Sequence, residues 1–189
     1  GEKHSACCNL GAINDAKRVA AKLGIPHYTI NSRSNFKEKV MDHFVDQYLQ
    51  GFTPNPCVEC NRYIKFDEMR QKMKELDADF VATGHYCQRD FDDDLNEFSL
   101  KKGADPTKDQ SYFLYMLTHD DLKTILFPLG GFQKDEIRDM ARNLELINAD
   151  KPDSQEICFV PKSYKDFIKE TVDDDYLSEG PIFDLDGNE

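Results

Sequence analysis

The sequence predicts an α/β layered fold on a parallel sheet, followed by a smaller, mostly helical subdomain. Three observations carry this. Apolar helix faces alternate with short apolar strands over residues 16–83, in helix–strand–helix–strand order. The connectors between them are short, as in doubly wound α/β units. From Thr118 onward the pattern breaks into short helices, with Pro128, Gly130, Gly131 and Pro152 in their connections.

The elements follow in order. Ala16, Val19, Ala20 and Leu23 mark one apolar helix face, with Asn14 as the predicted cap and Gly24 as the stop. Ile25 to Ile30 reads as a short strand. A second helix runs from about Asn35, with Phe36, Val40, Phe44, Val45 and Leu49 inward, until Gly51 ends it. After Thr53-Pro54-Asn55-Pro56 comes a third helix carrying Ile64, Met69, Met73 and Leu76. Residues 78–83 form a buried strand that ends at Gly84-His85. Residues 86–103 read as a hairpin whose tip is the acidic run Asp90 to Asp94. That run is a solvated turn, because its spacing is not that of a calcium loop. Helices are predicted over Asp120 to Leu126, Asp135 to Leu144 and Tyr164 to Glu170, with a subdomain boundary near residue 124. The division is thus 1–124 and 125–189.

Composition narrows the function classes. At 39% hydrophobic and 11% aromatic the chain is globular, and no apolar run approaches the ~20 residues of a membrane span. The opening Gly1-Glu2-Lys3-His4-Ser5 has no signal-peptide core, which points to a cytoplasmic chain. The start at Gly1 and the close at Gly187-Asn188-Glu189 read as cuts through a longer protein. A net charge of −12 argues at first against a nucleic-acid partner. Most of that excess lies in the tail, where residues 145–189 carry −9 against −3 for residues 1–144. A local basic face in the larger part is therefore compatible with the total.

Six cysteines are too few for a disulfide scaffold in 189 residues, so their spacing is where chemistry is sought. Cys57 and Cys60 form a CxxC held by Pro54-Asn55-Pro56 at a helix start, where unpaired amide N–H groups favour a thiolate. The pair suits redox or sulfur transfer, a metal or iron–sulfur site, or inert packing. A zinc site lacks a second CxxC, and a thioredoxin-type motif would follow the first strand of a βαβ unit. Cys158, between Ile157 and Phe159, is by itself a buried thiol or a partner for the CxxC. Gly84-His85, at the carboxyl end of a strand, is either a ligand position or a strand-ending turn. Lys108-Asp109-Gln110 is a capping loop or a contact to phosphate and base edges. Neither a Walker A pattern nor GxGxxG occurs.

Four blocks taken together are more specific: Thr53-Pro54-Asn55-Pro56-Cys57-Val58-Glu59-Cys60-Asn61, Ala82-Thr83-Gly84-His85-Tyr86, Lys108-Asp109-Gln110-Ser111-Tyr112-Phe113-Leu114 and Asp153-Ser154-Gln155-Glu156-Ile157-Cys158-Phe159. In order and spacing they closely resemble the tRNA-specific 2-thiouridylases, over nearly the whole chain. The resemblance implies an adenine-nucleotide-hydrolase-like domain of the ATP-pyrophosphatase group, here truncated. It implies ATP-dependent replacement of the C2 oxygen of a wobble uridine by sulfur. The implied partners are tRNA, ATP with Mg, and a protein that donates persulfide sulfur, with no membrane.

Carried over by position, the resemblance makes Cys158 the persulfide-bearing cysteine and Cys60 the second catalytic cysteine, able to close a disulfide with Cys158. It makes Asn55, Pro56 and Cys57 the contacts to the target base, and Gly84 an ATP contact. His85, Lys108, Asp109 and Gln110 become tRNA contacts. Some members carry aspartate where Cys57 stands, so this chain departs from the family there. Cys57, Cys60 and Cys158 would alternatively supply three thiolates to a [4Fe–4S] cluster with one iron open. The family's SGGxDS phosphate loop and C-terminal β-barrel are expected outside residues 1–189, so the chain alone is expected neither to bind ATP tightly nor to thiolate tRNA. A different class of reading is a non-catalytic metal-binding or redox module on Cys57 and Cys60.

Overall fold

The computed structural model describes residues 10–153, 157–160, 163–177 and 180–188. Cys7 and Cys8, and Ser154, Gln155 and Glu156 of the block before Cys158, lie outside the described residues. Helix α1 spans Leu10–Leu23, so Asn14 lies inside it rather than capping it. Gly24, at φ 67°, ends the helix in the left-handed region, and Ile25 N–H donates back to Ala20 O at 3.0 Å.

Helix α2 covers residues 33–49 as Arg33–Phe36, a π-helical Lys37–Asp42 and His43–Leu49. It buries Val40, Phe44 and Val45 as expected, Leu49 at its end is exposed instead, and Gly51 at φ 83° closes it. Helix α3 covers residues 56–75 as Pro56–Glu59, a π-helical Cys60–Asp67 and Glu68–Glu75. Val58, Asn61 and Phe66 are buried, while Met69 and Leu76 are exposed. The wider i→i+5 turns over Cys60–Asp67 rotate the apolar stripe away from a 3.6-residue period. Glu68 ties α3 to the start of α2 through Ser32 and Asn35.

The sheet is parallel, as expected, but short: of the buried strand expected over 78–83 only Val81–Ala82 forms, and Phe80 is half exposed. Strand β1, Val81–Ala82, pairs with β4, Ile125–Leu126, and the ladder extends through Thr83 N–H to Leu126 O at 3.0 Å. The helix predicted over 120–126 therefore stops early. A Thr118/Asp121 capping box starts α4, His119–Leu122, and Ile125 then leaves it for the sheet and full burial. A division at residue 124 would leave β1 on one side and its partner strand β4 on the other. Residues 25–30, read as a strand, are not in a ladder. Ile25 and Tyr28 are more than half exposed there, because an apolar run becomes a strand only where another backbone pairs with it.

Strands β2, Cys87–Asp92, and β3, Glu97–Lys102, form the predicted antiparallel hairpin in the register Cys87↔Lys102 to Asp92↔Glu97. Asp92 caps its tip by accepting from Asp94 and Leu95 N–H, and Lys101 pairs with Asp90 across the strands. Helix α5, Lys134–Asn143, and α6, Tyr164–Thr171, complete the fold close to their predicted bounds. No described helix is long and apolar enough to cross a membrane.

Two packed groups hold these elements. Phe66, Cys87, Leu114, Leu122, Ile125 and Phe127 join α3, the hairpin and the sheet. Phe36, Phe44, Phe159 and Phe167 form an aromatic cluster between α2 and the C-terminal segments. The loop after Phe127 passes so close to β2 that a Cβ on Gly130 would lie 1.7 Å from Cys87 O. Nothing lies within 4 Å of a Cβ on Gly131. Gly130→Ala is expected to cost more than about 4 kcal/mol or to prevent folding, with Gly131→Ala within about 0.5 kcal/mol of wild type, as read by urea unfolding.

Candidate functional site

The CxxC is positioned by a helix start built from its own neighbours. Asn55, extended at φ −103°, accepts from Cys57 N–H through Oδ1 at 3.1 Å, and Pro56 occupies the first turn. Asn55 and Pro56 border a cleft shared with Val40, His43, Phe44 and Tyr115. Cys57 and Cys60 are half-buried one helical turn apart. Asn61, directly after Cys60, is 2% exposed and its Oδ1 has no hydrogen-bond partner.

The second block lies at the carboxyl end of β1. Thr83 still pairs with β4, and Gly84 then leaves open space, since an added Cβ would meet only Leu129 Cδ1 at 3.7 Å. His85 is 7% exposed, with Nδ1 3.0 Å from Thr83 Oγ1 and its ring stacked on Phe66 at 5.9 Å. Tyr86 and Gln110 then lock together. Tyr86 N–H donates to Gln110 Oε1 at 3.0 Å, and Gln110 N–H donates to Tyr86 O at 2.9 Å. The block containing His85 and the block containing Lys108 are thus one structural unit.

Within that unit the polar side chains divide in purpose. Asp109 turns inward, accepting from Gly103 N–H at 2.9 Å and from Ser111 N–H and Oγ. Those hydrogen bonds hold its carboxyl below the usual range against the opposing effect of burial. Lys108 turns toward the fourth block and pairs with Asp153 at 3.0 Å. Lys134, at the start of α5, pairs with the same carboxylate at 2.9 Å. Phe159, next to Cys158, packs edge-on against Phe44 at 5.4 Å and so joins the fourth block to α2 beside the CxxC helix. Cys158 is half-buried.

Residues 1–162 match the family described as the tRNA methyl transferase HUP domain. The chain belongs to that family. It is 48% identical over 188 residues to a tRNA-specific 2-thiouridylase of Carboxydothermus hydrogenoformans, covering 99% of this chain and 51% of that protein. It is 54% identical over 167 residues to one of Thermoanaerobacter sp. strain X514, covering 88% and 46%. It is 51% identical over 184 residues to one of Caldanaerobacter subterraneus subsp. tengcongensis, covering 97% and 50%. The chain therefore spans about half the length of these relatives. Family membership carries the adenine-nucleotide-hydrolase-like α/β fold, and the parallel pair of β1 and β4 accords with it.

For this family member, the fold brings Lys108 to the Cys158 segment, Gln110 to Tyr86 and Phe159 to the α2 side of the CxxC helix. Among the described residues no three Cys, His, Asp or Glu side chains are arranged to hold a metal ion. Lys134 carries no local signal of a role, because it lies in an ordinary helix start between Gln133 and its capping partner Glu136. Only its spatial partner Asp153 reveals it.

Burial first, and then the charge of Lys65, push His85 down to about 4, so it is neutral at pH 7. An unfolded chain would protonate it near 6.5. The folded value is the lower one, so the neutral form's stabilisation is complete above pH 6.5 and is lost as pH falls from 6.5 toward 4. Urea unfolding across pH 7 to 4 should show wild type losing up to about 3 kcal/mol more than His85→Gln. Parallel stability profiles for the two proteins would refute the burial of a neutral imidazole.

Proposed function

We propose that the chain carries the sulfur-transfer chemistry of an ATP-dependent tRNA uridine 2-thiolation enzyme. The observation that carries this reading is the convergence of separate blocks. Lys108 pairs with Asp153 at the head of the Cys158 segment, and Phe159 packs on Phe44, which borders the same cleft as Asn55 and Pro56. The identity of about half to tRNA-specific 2-thiouridylases over nearly all of the chain supports the same substrate class.

The chemistry assigns a task to each residue. A uracil C2 oxygen is a poor leaving group, so ATP first transfers AMP to it and pyrophosphate departs. The terminal sulfur of a persulfide on Cys158, loaded by a sulfur-donor protein, attacks C2, and AMP leaves with the oxygen. Cys60 thiolate then attacks the Cys158 sulfur of the resulting C2–S–S link. The S–S bond breaks, the base keeps C2=S, and a Cys60–Cys158 disulfide forms. An external dithiol must reduce that disulfide before another turnover, so electrons balance.

Around this step Asn55, Pro56 and Cys57 contact the splayed base. Gly84, whose neighbourhood leaves room above the strand end, lets ATP approach the backbone. His85, held neutral, offers one imidazole edge to RNA, and Lys108 and Gln110 complete the tRNA contact with Asp109 bracing their loop. A [4Fe–4S] cluster would need Cys57, Cys60 and Cys158 around one centre. The absence of a metal-holding group among the described residues does not fit it, so no step runs through a cluster.

The test uses a chimera in which this chain replaces the matching half of the Carboxydothermus hydrogenoformans relative. Supplied with ATP, a tRNA transcript and a persulfide donor, it should form 2-thiouridine, quantified by mass spectrometry of digested tRNA. Cys158→Ser and Cys60→Ser should each lower the yield more than about 100-fold, because each removes a nucleophile the sequence of steps requires. Undiminished thiolation by Cys158→Ser would sink the proposal.

A further inference from the structure

The cleft between α2 and the start of α3 has an apolar floor of Val40, Phe44 and Val58, all buried. Two polar side chains line it from opposite helices, Gln47 from α2 and Glu59 from α3. Both are half-buried, and among the described residues neither side chain makes a hydrogen bond or ion pair. Asn55 lines it too, with Oδ1 already committed to Cys57 N–H. Partly desolvated polar groups gain from a hydrogen-bond partner, and a few of them converging over an apolar floor form a ligand cleft.

Tyr115 borders the same cleft. It is 74% exposed, so its ring gains little from folding, yet its mount is firm. Leu114 before it is fully buried, Leu114 N–H donates to Ser111 O at 2.9 Å, and Leu117 N–H donates to Leu114 O at 3.0 Å. An aromatic ring on a rigid mount offers a π-face at small entropic cost. Both borders of the cleft continue segments to which the sulfur-transfer reading assigns RNA. Asn55 and Pro56 form one, and Tyr115 follows in the chain from Lys108 and Gln110. None of the described cysteines lines the cleft, so the base whose C2 reacts lies elsewhere.

We infer that this cleft takes an unpaired RNA base next to the target nucleotide, stacked on Tyr115 and read at its edge by Gln47 and Glu59. The inference rests on the sulfur-transfer reading for the RNA, and deepens it by naming residues that choose among RNAs. The edge chemistry selects a class of base. The Glu59 carboxylate only accepts, so it takes a ring N–H, while Gln47 Nε2 donates and takes a carbonyl oxygen. Uracil and guanine carry those two groups side by side. Cytosine and adenine present a bare ring nitrogen there, which sets its lone pair against the carboxylate. The cleft therefore favours a keto base over an amino base beside the target. None of the three residues touches the reacting atoms.

The test is binding of the full chain to a stem–loop RNA with the target uridine in its loop, read by fluorescence anisotropy. Each nucleotide flanking the target is set in turn to U, G, C and A. At one of the two positions wild type should bind the keto RNAs about fivefold or more tighter than the amino RNAs. Gln47→Leu and Glu59→Gln should each bring that ratio within about twofold, a change that a loss of packing alone would not produce. Tyr115→Ala should weaken binding of every RNA about fivefold or more, and Tyr115→Phe should restore it. Because Tyr115 is so exposed, its variants keep the test decisive should Gln47→Leu or Glu59→Gln fail to fold. RNA that binds without a keto preference at either position, or that binds Tyr115→Ala as it binds wild type, overturns the cleft's assignment alone. RNA that does not bind the chain at all overturns that assignment together with the RNA reading beneath it.

Discussion

The site depends on the passage of the chain through Tyr86 and Cys87. Gly130 passes over the Cys87 carbonyl closer than any side chain permits, and Gly103 lies against the Tyr86 carbonyl, where a Cβ would meet the oxygen at 2.7 Å. Ala104 N–H then reaches Gly130 O at 2.8 Å, and Gln110 N–H reaches Tyr86 O at 2.9 Å. Buried backbone groups need such partners, and here they come from three separate loops meeting one strand. The strand end with His85, the hairpin and the loop carrying Lys108 thereby become a single rigid piece. The Cys87 side chain fills the core beneath it, where burial pushes its thiol up to about 12 and removes it from thiol chemistry.

On that piece the charges are arranged economically. His85 is kept neutral by burial, Asp109 spends its carboxylate on the loop, and Asp153 lies between two lysines. Lys134, and Lys108 after it, hold the Asp153 carboxyl below its ordinary range. The net charge of −12 therefore says little about this surface. Ion pairs this exposed contribute about 1 kcal/mol or less each to stability. Their significance is geometric, because they settle where the segment leading to Cys158 begins.

The helices were legible because they obey local rules. Asn55 before Pro56, Thr118 before Asp121, and glycines 24 and 51 after apolar stripes set boundaries that the structure keeps within a few residues. The π-helical turns of α3 leave no local signal, so nothing in the sequence separates Phe66, which takes the core position, from Met69 and Leu76, which are exposed. Strands fared differently. Val81 and Ile125 lie far apart in sequence, and the pairing that makes each a strand belongs to neither alone. Ile25 to Ile30 has the same apolar composition and stays outside any ladder.

The sequence by itself determined the family, through four ordered blocks, and with it the candidate cysteines, the strand-end glycine and the polar loop. Those follow from residue type at fixed spacing, which a linear pattern records completely. Tertiary structure alone decided which blocks touch: Gln110 with Tyr86, Lys108 and Lys134 with Asp153, Phe159 with Phe44. It also decided that His85 is neutral and that Asp109 faces inward. The reason is physical. Burial and ion pairing depend on neighbours distant in the chain, so Lys134 acquires its meaning only once α5 is docked beside Asp153.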